Sequence, residues 1–122
     1  MGISYFLDTY AMMEIIKGNP AYQKYLNEQT FTSIFNLYEL FFSVLRDYDE
    51  DLAESMFFDF KDYEFDIKPE HIFAGAHFKL RHHKRNISYV DAIGYCIAEQ
   101  EGMVFLTGDK EFQRMKNVEF VK

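Results

Sequence analysis

The stretch Ile3-Ser4-Tyr5-Phe6-Leu7-Asp8, near the start of the chain, decides which fold the sequence can adopt. Its apolar run is too short for a helix and predicts a buried strand, which Asp8 ends with a carboxylate. The stretch Met103-Val104-Phe105-Leu106 has the same character, and Asp109 follows it closely. The sequence therefore predicts two buried strands, far apart in the chain, that each end next to an acid.

Helices are predicted between these strands, where apolar residues recur at helical spacing. They cover residues 9–17, 20–27, 34–45, 50–61, 69–85, 88–101 and 110–115, and further strands are predicted at 30–32, 63–67 and 118–121. In the helix that begins at Pro69, the pattern places Phe73, Ala76 and Leu80 on the inner face. Strands that alternate with helices favour parallel pairing. We therefore expect a single domain over residues 1–122, with a three-layer α/β/α fold and a mainly parallel central sheet.

The composition is that of a globular protein, since 48% of the 122 residues are hydrophobic and 19% are aromatic. Cys96 is the only cysteine, which excludes an intrachain disulfide and a zinc–thiolate cluster. No apolar run approaches the ~20 residues that cross a bilayer, and no signal-peptide pattern opens the chain, so we expect a cytoplasmic protein without a membrane partner. The net charge of −7 opposes nucleic-acid binding unless bound cations neutralise part of it.

Four carboxylates lie where an apolar chain would otherwise have none. Asp8 and Asp109 follow the two buried strands, and Glu39 and Asp91 lie inside the predicted helices 34–45 and 88–101. Because parallel α/β sheets place their sites at the carboxyl ends of the strands, these acids can converge on one point. Converged carboxylates repel one another unless a cation holds them together, so the pattern predicts a divalent-metal site.

Each of these acids also has a simpler, structural interpretation. Asp8 and Asp109 could cap the helices that begin after them, and Ser88-Tyr89-Val90-Asp91 has the form of a capping box. Glu39 lies in mid-helix, where no cap explains it, although a solvated helix flank does. The combination of four acids at such positions favours the metal site over four separate structural roles.

Other clusters of polar residues are weaker candidates. Asp47, Asp49 and Asp51 do not form a calcium loop, because Leu52 and Phe58 occupy the positions that need Gly and Glu, and they are interpreted as a solvated helix start. The four histidines have no usual metal-ligand spacing, and most are expected at the surface: His71, His77, His82 and His83. Cys96 is expected in the core.

Four ordered segments resemble the PIN domain. They are Phe6-Leu7-Asp8-Thr9, Asn36-Leu37-Tyr38-Glu39-Leu40, Ser88-Tyr89-Val90-Asp91-Ala92 and Leu106-Thr107-Gly108-Asp109-Lys110-Glu111-Phe112. Within that family, the chain is most similar to the ribonuclease toxins of VapBC-type toxin–antitoxin pairs. The resemblance implies a PIN-like fold with an acidic pocket that holds one or two Mg²⁺ or Mn²⁺ ions and cleaves RNA.

The resemblance also assigns roles to residues. Asp8, Glu39, Asp91 and Asp109 match the family's catalytic and metal-binding quartet, and Thr9 and Thr107 match supporting residues. Asp8, Asp91 and Asp109 are the expected direct ligands, whereas Glu39 binds a second ion or orients the attacking water. Tyr95 departs from the small residue of many relatives, and could narrow the pocket or stack on a base.

Partners are implied as well. The resemblance implies an antitoxin protein that blocks the site, often with an arginine, and a homodimer that flanks an RNA groove. The basic segment Arg81-His82-His83-Lys84-Arg85 is either an ordinary helix C-terminus or a contact for the RNA backbone, so that Arg81, Lys84 and Arg85 are candidate RNA contacts.

Alternative functions remain at this point. An aspartyl-nucleophile phosphatase would need a second acid two residues after Asp8, where Tyr10 stands, and the acidic pair and late lysine of a phospho-receiver are not evident. A non-catalytic partner-binding PIN-like module and an RNA-processing nuclease that is not a toxin both fit the sequence.

Overall fold

The computed structural model describes residues 2–122, which form a parallel sheet of four strands with helices on both faces. The strands are β1 (Ser4–Leu7), β2 (Gln29–Phe31), β3 (Val104–Thr107) and β4 (Val118–Phe120). The helices are α1 (Thr9–Ile16), α2 (Pro20–Gln23), α3 (Ile34–Asp47), α4 (Glu50–Lys61), α5 (Pro69–Arg81) and α6 (Tyr89–Gln100). The strand order β2-β1-β3-β4 confirms the predicted three-layer α/β/α fold.

The register of the central strands brings the predicted strand ends together. Strand β1 pairs with β3, with Phe6 opposite Phe105 and Leu7 opposite Leu106, so both strands end at the same edge. Side chains along β1 alternate between two cores, because successive residues of a strand point to opposite faces. Leu7 packs in the core beside α1, α3 and α4, whereas Phe6 packs beside α5 and α6.

The predicted inner face of α5 is wrong. Phe73, Ala76 and Leu80 are exposed, and the buried residues of this helix include Gly75 and Phe78 instead. A Cβ atom on Gly75 would lie 2.9 Å from the side chain of Ile93, so the glycine permits α6 to pack closely on this face. A pattern based on residue type could not identify this contact, because glycine carries no apolar side chain.

His77 and His83 are exposed and His82 is half-buried, so most histidines reach the surface as predicted, but His71 does not. This residue is fully buried, with Nδ1 accepting a hydrogen bond from the backbone N–H of Lys68 at 3.0 Å. The Nε2 atom of His71 lies 2.9 Å from Oε2 of Glu101 and thereby joins α5 to the chain beyond α6.

Smaller differences concern short elements. The predicted strand at 63–67 is wrong, since only a single bridge joins Glu64 to Thr32. The predicted helix at 20–27 divides into α2 and the 3₁₀ segment Lys24–Asn27, and the one at 110–115 shortens to the 3₁₀ segment Lys110–Phe112. Within residues 2–122, no helix is both long and apolar enough to cross a membrane.

Candidate metal and nuclease site

Asp8 lies at the point where β1 becomes α1, and it has two kinds of contact. Its Oδ1 atom accepts a hydrogen bond from the N–H of Ala11 at 2.8 Å, so Asp8 does cap α1. Its Oδ2 atom accepts a hydrogen bond from the hydroxyl of Thr107 at the end of β3. With 2% of its surface exposed, Asp8 is a buried carboxylate at the edge of the sheet. The capping interpretation of Asp8 is therefore correct, and its second carboxylate oxygen contacts the strand that Asp109 follows.

Asp109 is tied to the same threonine. The N–H of Asp109 donates to Oγ1 of Thr107 at 3.0 Å, and Oδ1 of Asp109 accepts from the N–H of Glu111 at 2.9 Å. Gly108, between Thr107 and Asp109, permits the ring of Tyr10 to lie close to the backbone, because a Cβ atom there would be 2.2 Å from that ring. Thr107 thus connects the two acids that follow β1 and β3.

Glu39 lies on α3 and is oriented by side chains. The hydroxyl of Thr9 donates to Oε1 of Glu39 at 2.6 Å, and Nδ2 of Asn36 donates to the same hydroxyl oxygen at 3.2 Å. Oδ1 of Asn36 in turn accepts from the hydroxyl of Ser33 at 2.6 Å. Because the oxygen of Thr9 accepts from Asn36, its only proton points to Glu39.

Ser33 and Asn36 were not predicted as site residues. The spacing of Asn36 from Glu39 is a signal that could have found it, because residues three apart on a helix lie on one face. Ser33 also caps α3 by accepting from the N–H of Asn36 at 3.2 Å. Asn36 is fully buried, which is uncommon for an amide side chain unless it is hydrogen bonded.

Asp91 lies in the first turn of α6, where its N–H donates to Oγ of Ser88 at 3.0 Å. The pKa of Asp91 is raised to about 6, mainly by burial and also by the charges of Glu39 and Asp109. Ser88 acts in the opposite direction by hydrogen bonding to the carboxylate. The capping interpretation is thus correct for Ser88. The pKa of Asp91 is affected in addition by the charges of the neighbouring acids.

The pKa of Asp8 is likewise raised, to about 8, and burial is the main cause. Hydrogen bonds from Thr107 and Ala11 lower it, and the charges of Asp91 and Asp109 raise it again. The charges of Asp91 and Asp109 thus act on Asp8, and those of Glu39 and Asp109 act on Asp91, so the four predicted acids lie near one another.

The four acids open into one cleft of about 420 Å³. Its lining residues are Asp8, Thr9, Tyr10, Glu39, Asp91, Gly108, Asp109 and Lys110. Among residues 2–122, no ion pair involves any of the four carboxylates, so their repulsion is not offset by a salt bridge. Lys110 is the one cationic side chain in the lining of this cleft.

The chemistry of these donors fits a hard divalent cation, since Mg²⁺ and Mn²⁺ prefer carboxylate oxygens. Within residues 2–122, no group of three acidic, histidine or cysteine side chains is already placed to hold one ion. A bound cation would offset the repulsion between the carboxylates, which adds to the effect of burial on the pKa values of Asp8 and Asp91.

The remaining predicted residues lie around this cleft or away from it. Nη1 of Arg85 donates to the backbone oxygen of Glu111 at 2.7 Å, so the basic segment lies beside the Lys110–Phe112 segment that borders the cleft. Arg81 and Lys84 are exposed.

Tyr95 has neither of the roles suggested for it. Its ring is buried among Phe78 and Phe105, and its hydroxyl donates to the backbone oxygen of Lys116 at 2.8 Å. Cys96 is buried, as predicted.

Comparison with known proteins agrees with this architecture. Residues 5–118 match the profile of the PIN domain. The chain belongs to the PIN domain family. A comparison with curated protein sequences found no match.

Solved structures resemble this PIN domain over nearly its whole length. VapC20 of Mycobacterium tuberculosis, a sarcin–ricin loop cleaving toxin, superimposes with a TM-score of 0.80 at 16% identity, and the match covers 96% of each chain. VapBC from Salmonella typhimurium, bound to DNA, gives 0.76 at 16% identity over 98% of each chain. VapBC2 from Rickettsia felis, bound to a DNA fragment from its promoter, gives 0.74 at 20% identity over 98% of each chain. At these identities, the likeness establishes the fold.

Proposed function

We propose that this single-domain protein is a divalent-metal-dependent endoribonuclease and the toxin of a toxin–antitoxin pair. The observation that carries the proposal is the cleft in which Asp8, Glu39, Asp91 and Asp109 meet at the carboxyl edge of the sheet. Asp8 is buried and the other three acids are half-buried, so without cationic partners they are costly to keep ionised, which favours a function that needs their charge. Membership of the PIN domain family and the likeness to toxin structures support the same conclusion.

In this proposal, Asp8, Asp91 and Asp109 hold one or two Mg²⁺ or Mn²⁺ ions, and Glu39 either holds a second ion or orients the attacking water. When bound, the ion supplies positive charge that stabilises the charge developing on the phosphodiester during hydrolysis. Thr107 keeps Asp8 in place, and the hydroxyl of Thr9 leaves Oε2 of Glu39 free for the cleft.

The deciding experiment compares cleavage of labelled single-stranded RNA by the wild type and by Asp8→Asn, with Mg²⁺, with Mn²⁺ and with EDTA. We expect cleavage that requires both the metal and Asp8. Asp51→Asn is the matched control, because Asp51 is an exposed acid on α4 outside the cleft. A mutant at position 8 that cuts like the wild type would show that the proposed site is wrong. No cleavage by the wild type, despite metal binding, would favour a non-catalytic partner-binding module.

The basic segment after α5 is proposed to bind the RNA backbone. Arg85 already lies beside the edge of the cleft, and Arg81 and Lys84 extend the positive charge away from it. For Arg85→Ala we expect a several-fold higher KM, with the difference shrinking as salt rises, because phosphate contacts are screened. Lys24→Ala is the control, since Lys24 lies near Ile3 and Tyr5 at the start of β1, away from the cleft.

An antitoxin is the proposed protein partner, and an apolar groove of about 590 Å³ between α3 and α4 is its proposed binding surface. The groove is lined by Ile34, Tyr38, Phe41, Glu54, Phe57 and Phe58. Tyr38 is exposed here and also lines a second cleft, which reaches Thr9 and Glu39. A partner segment with apolar side chains in the groove and an arginine directed at the carboxylates fits this path.

A gene for a small DNA-binding protein directly upstream would favour the toxin over an RNA-processing nuclease. If purified complexes of the two proteins form equally well with Tyr38→Glu, the groove is not the binding surface.

A further inference from the structure

The second cleft that Tyr38 lines has a volume of about 430 Å³ and lies along α3, beside the carboxylates. Its lining residues are Thr9, Tyr38, Glu39, Phe42 and Ser43, and we call it the α3 cleft. Thr9 and Glu39 also line the carboxylate cleft, where the four acids meet, so the two clefts adjoin each other. A molecule held at the carboxylates can therefore place an attached group in the α3 cleft.

Two exposed aromatic rings line the α3 cleft. Tyr38 and Phe42 are 71% and 54% exposed, and residues four apart on a helix lie on the same face. The ring of Phe42 is held from one side, since the guanidinium carbon of Arg46 lies 5.5 Å from the centroid of the ring. Two hydrogen bonds from Arg46 to Asp47, at 2.8 and 3.0 Å, hold the guanidinium group in turn. The cleft thus has an aromatic surface that is oriented before a ligand binds.

Positive charge is distributed unequally around the carboxylates. Lys110 lines the carboxylate cleft but not the α3 cleft, and Arg85 hydrogen bonds to the backbone of Glu111 beside it. On the α3 side, Arg46 is already paired with Asp47. Phosphate groups are therefore attracted to the Lys110 side of the acids, whereas the α3 side suits an uncharged aromatic group.

We propose that the α3 cleft binds a base of single-stranded RNA, next to the phosphate that the carboxylate site holds. The base stacks on the rings of Tyr38 and Phe42, which is a common contact between single-stranded RNA and aromatic side chains. The hydroxyl of Ser43 can both donate and accept a hydrogen bond, so it suits the polar edge of a base. This inference rests on the proposed ribonuclease function and adds a site for the base to it.

A nucleobase fits the α3 cleft better than an apolar peptide segment does. The groove proposed for the antitoxin is lined by apolar and aromatic side chains with a single acid, whereas Thr9, Glu39 and Ser43 make most of the α3 cleft polar. A base has an apolar face and a polar edge, which matches this lining. Tyr38 lines both surfaces but Phe42 lines only the α3 cleft, so a change at Phe42 distinguishes the two ligands.

Removal of bases one at a time tests the contact. The probes are five-nucleotide single-stranded RNAs, each abasic at one position, which are titrated in Mg²⁺ with the Asp8→Asn protein so that the RNA stays intact. We expect one abasic position to lower the affinity about tenfold, and Phe42→Ala in the same background to lower the affinity for the complete RNA to the same extent. The two losses should not add, because both remove one contact. Phe42→Tyr retains a ring and should bind as the parent protein does.

Phe73→Ala is the matched control, because Phe73 is a 65% exposed ring on α5 that lines neither cleft. It should bind complete and abasic RNA as the parent protein does. Losses that multiply in Phe42→Ala, or equal affinity for complete and abasic RNA, would overturn the base site and leave the ribonuclease proposal intact. If Phe42→Ala weakens only the complex with the antitoxin, the α3 cleft holds a protein segment instead. No binding of any RNA would overturn both proposals.

Cleavage of a randomised RNA by the protein with Asp8 intact separates the base site from the backbone contacts. The sequenced ends should show a base preference at one position beside the cut, because bases differ in stacking strength. Phe42→Ala should reduce this preference several-fold, whereas Arg85→Ala should lower cleavage of all sequences alike, since phosphate contacts carry no base identity. An unchanged preference in Phe42→Ala would refute the base site. Absence of metal-dependent cleavage by the wild type would instead refute the ribonuclease function on which it rests.

Discussion

The two sides of the carboxylate cleft are built in different ways. On the strand side, Asp8 and Asp109 are joined through Thr107, and each also caps a helical segment, so the site and the backbone share hydrogen bonds. On the helix side, Glu39 is oriented by Thr9, a side-chain contact that no backbone group replaces. We therefore expect changes on the strand side to alter stability and activity together. Changes on the helix side should alter activity at a smaller cost in stability.

The largest expected effect is the response of the metal-free protein to pH. The pKa of Asp8 rises from 3.8 to about 8 on folding, so the folded chain binds more protons than the unfolded chain between these values. Stability must therefore fall as pH increases through this range, by at most about 1.4 kcal/mol per pH unit for this one group. Thermal unfolding in EDTA between pH 5 and pH 8, which lies within this range, measures the slope of stability against pH.

The variant Asp8→Asn tests whether Asp8 causes this pH dependence of stability. The amide oxygen can still accept from the N–H of Ala11, while the buried charge is absent. We expect the variant to be more stable than the wild type at pH 8 without metal, and to have a shallower pH slope. Identical slopes for the two proteins would mean that Asp8 is not the group that titrates.

The second effect concerns Thr107, which joins the two acids of the strand side. Thr107→Val removes the donor to Asp8 and the acceptor for the N–H of Asp109, so buried polar groups lose their partners. We expect a loss of about 1–3 kcal/mol in the free energy of unfolding and an activity about 10–100-fold lower. Thr107→Ser retains the hydroxyl and should retain both properties, as urea unfolding and RNA cleavage would show.

The difference between the two sides also explains what the sequence could predict. Asp8 and Asp109 were predictable because each follows an apolar strand, and parallel strands bring such ends to one edge. Asn36 was missed, because its role depends on Thr9, which the fold brings to it from a distant part of the sequence.

The prediction of the inner face of α5 failed for a related reason. Apolar periodicity predicts which side of a helix is buried only when large side chains fill the contact. Here Gly75 and His71 form it, the first by its small size and the second through hydrogen bonds. Large apolar side chains such as Leu80 therefore remain on the exposed side of the helix.

The smallest expected effect in free energy is on the helix side, where Thr9 and Asn36 act on Glu39 in sequence. Thr9→Val removes the donor to Glu39, and Asn36→Ala removes the group that directs it. Each should cost about 1 kcal/mol of stability and lower Mn²⁺ affinity and cleavage about tenfold. The cap from Ser33 remains in both variants, because it uses the backbone N–H of residue 36.

A double-mutant cycle decides whether Thr9 and Asn36 form one pathway to Glu39. If they do, the double variant should cleave RNA and bind Mn²⁺, measured by calorimetry, about as well as either single variant. Thr9→Ser keeps the hydroxyl and should behave as the wild type. Losses that multiply in the double variant would mean that Asn36 acts on the site independently of Thr9. The helix side would then depend on general packing of α3, and its contrast with the strand side would disappear.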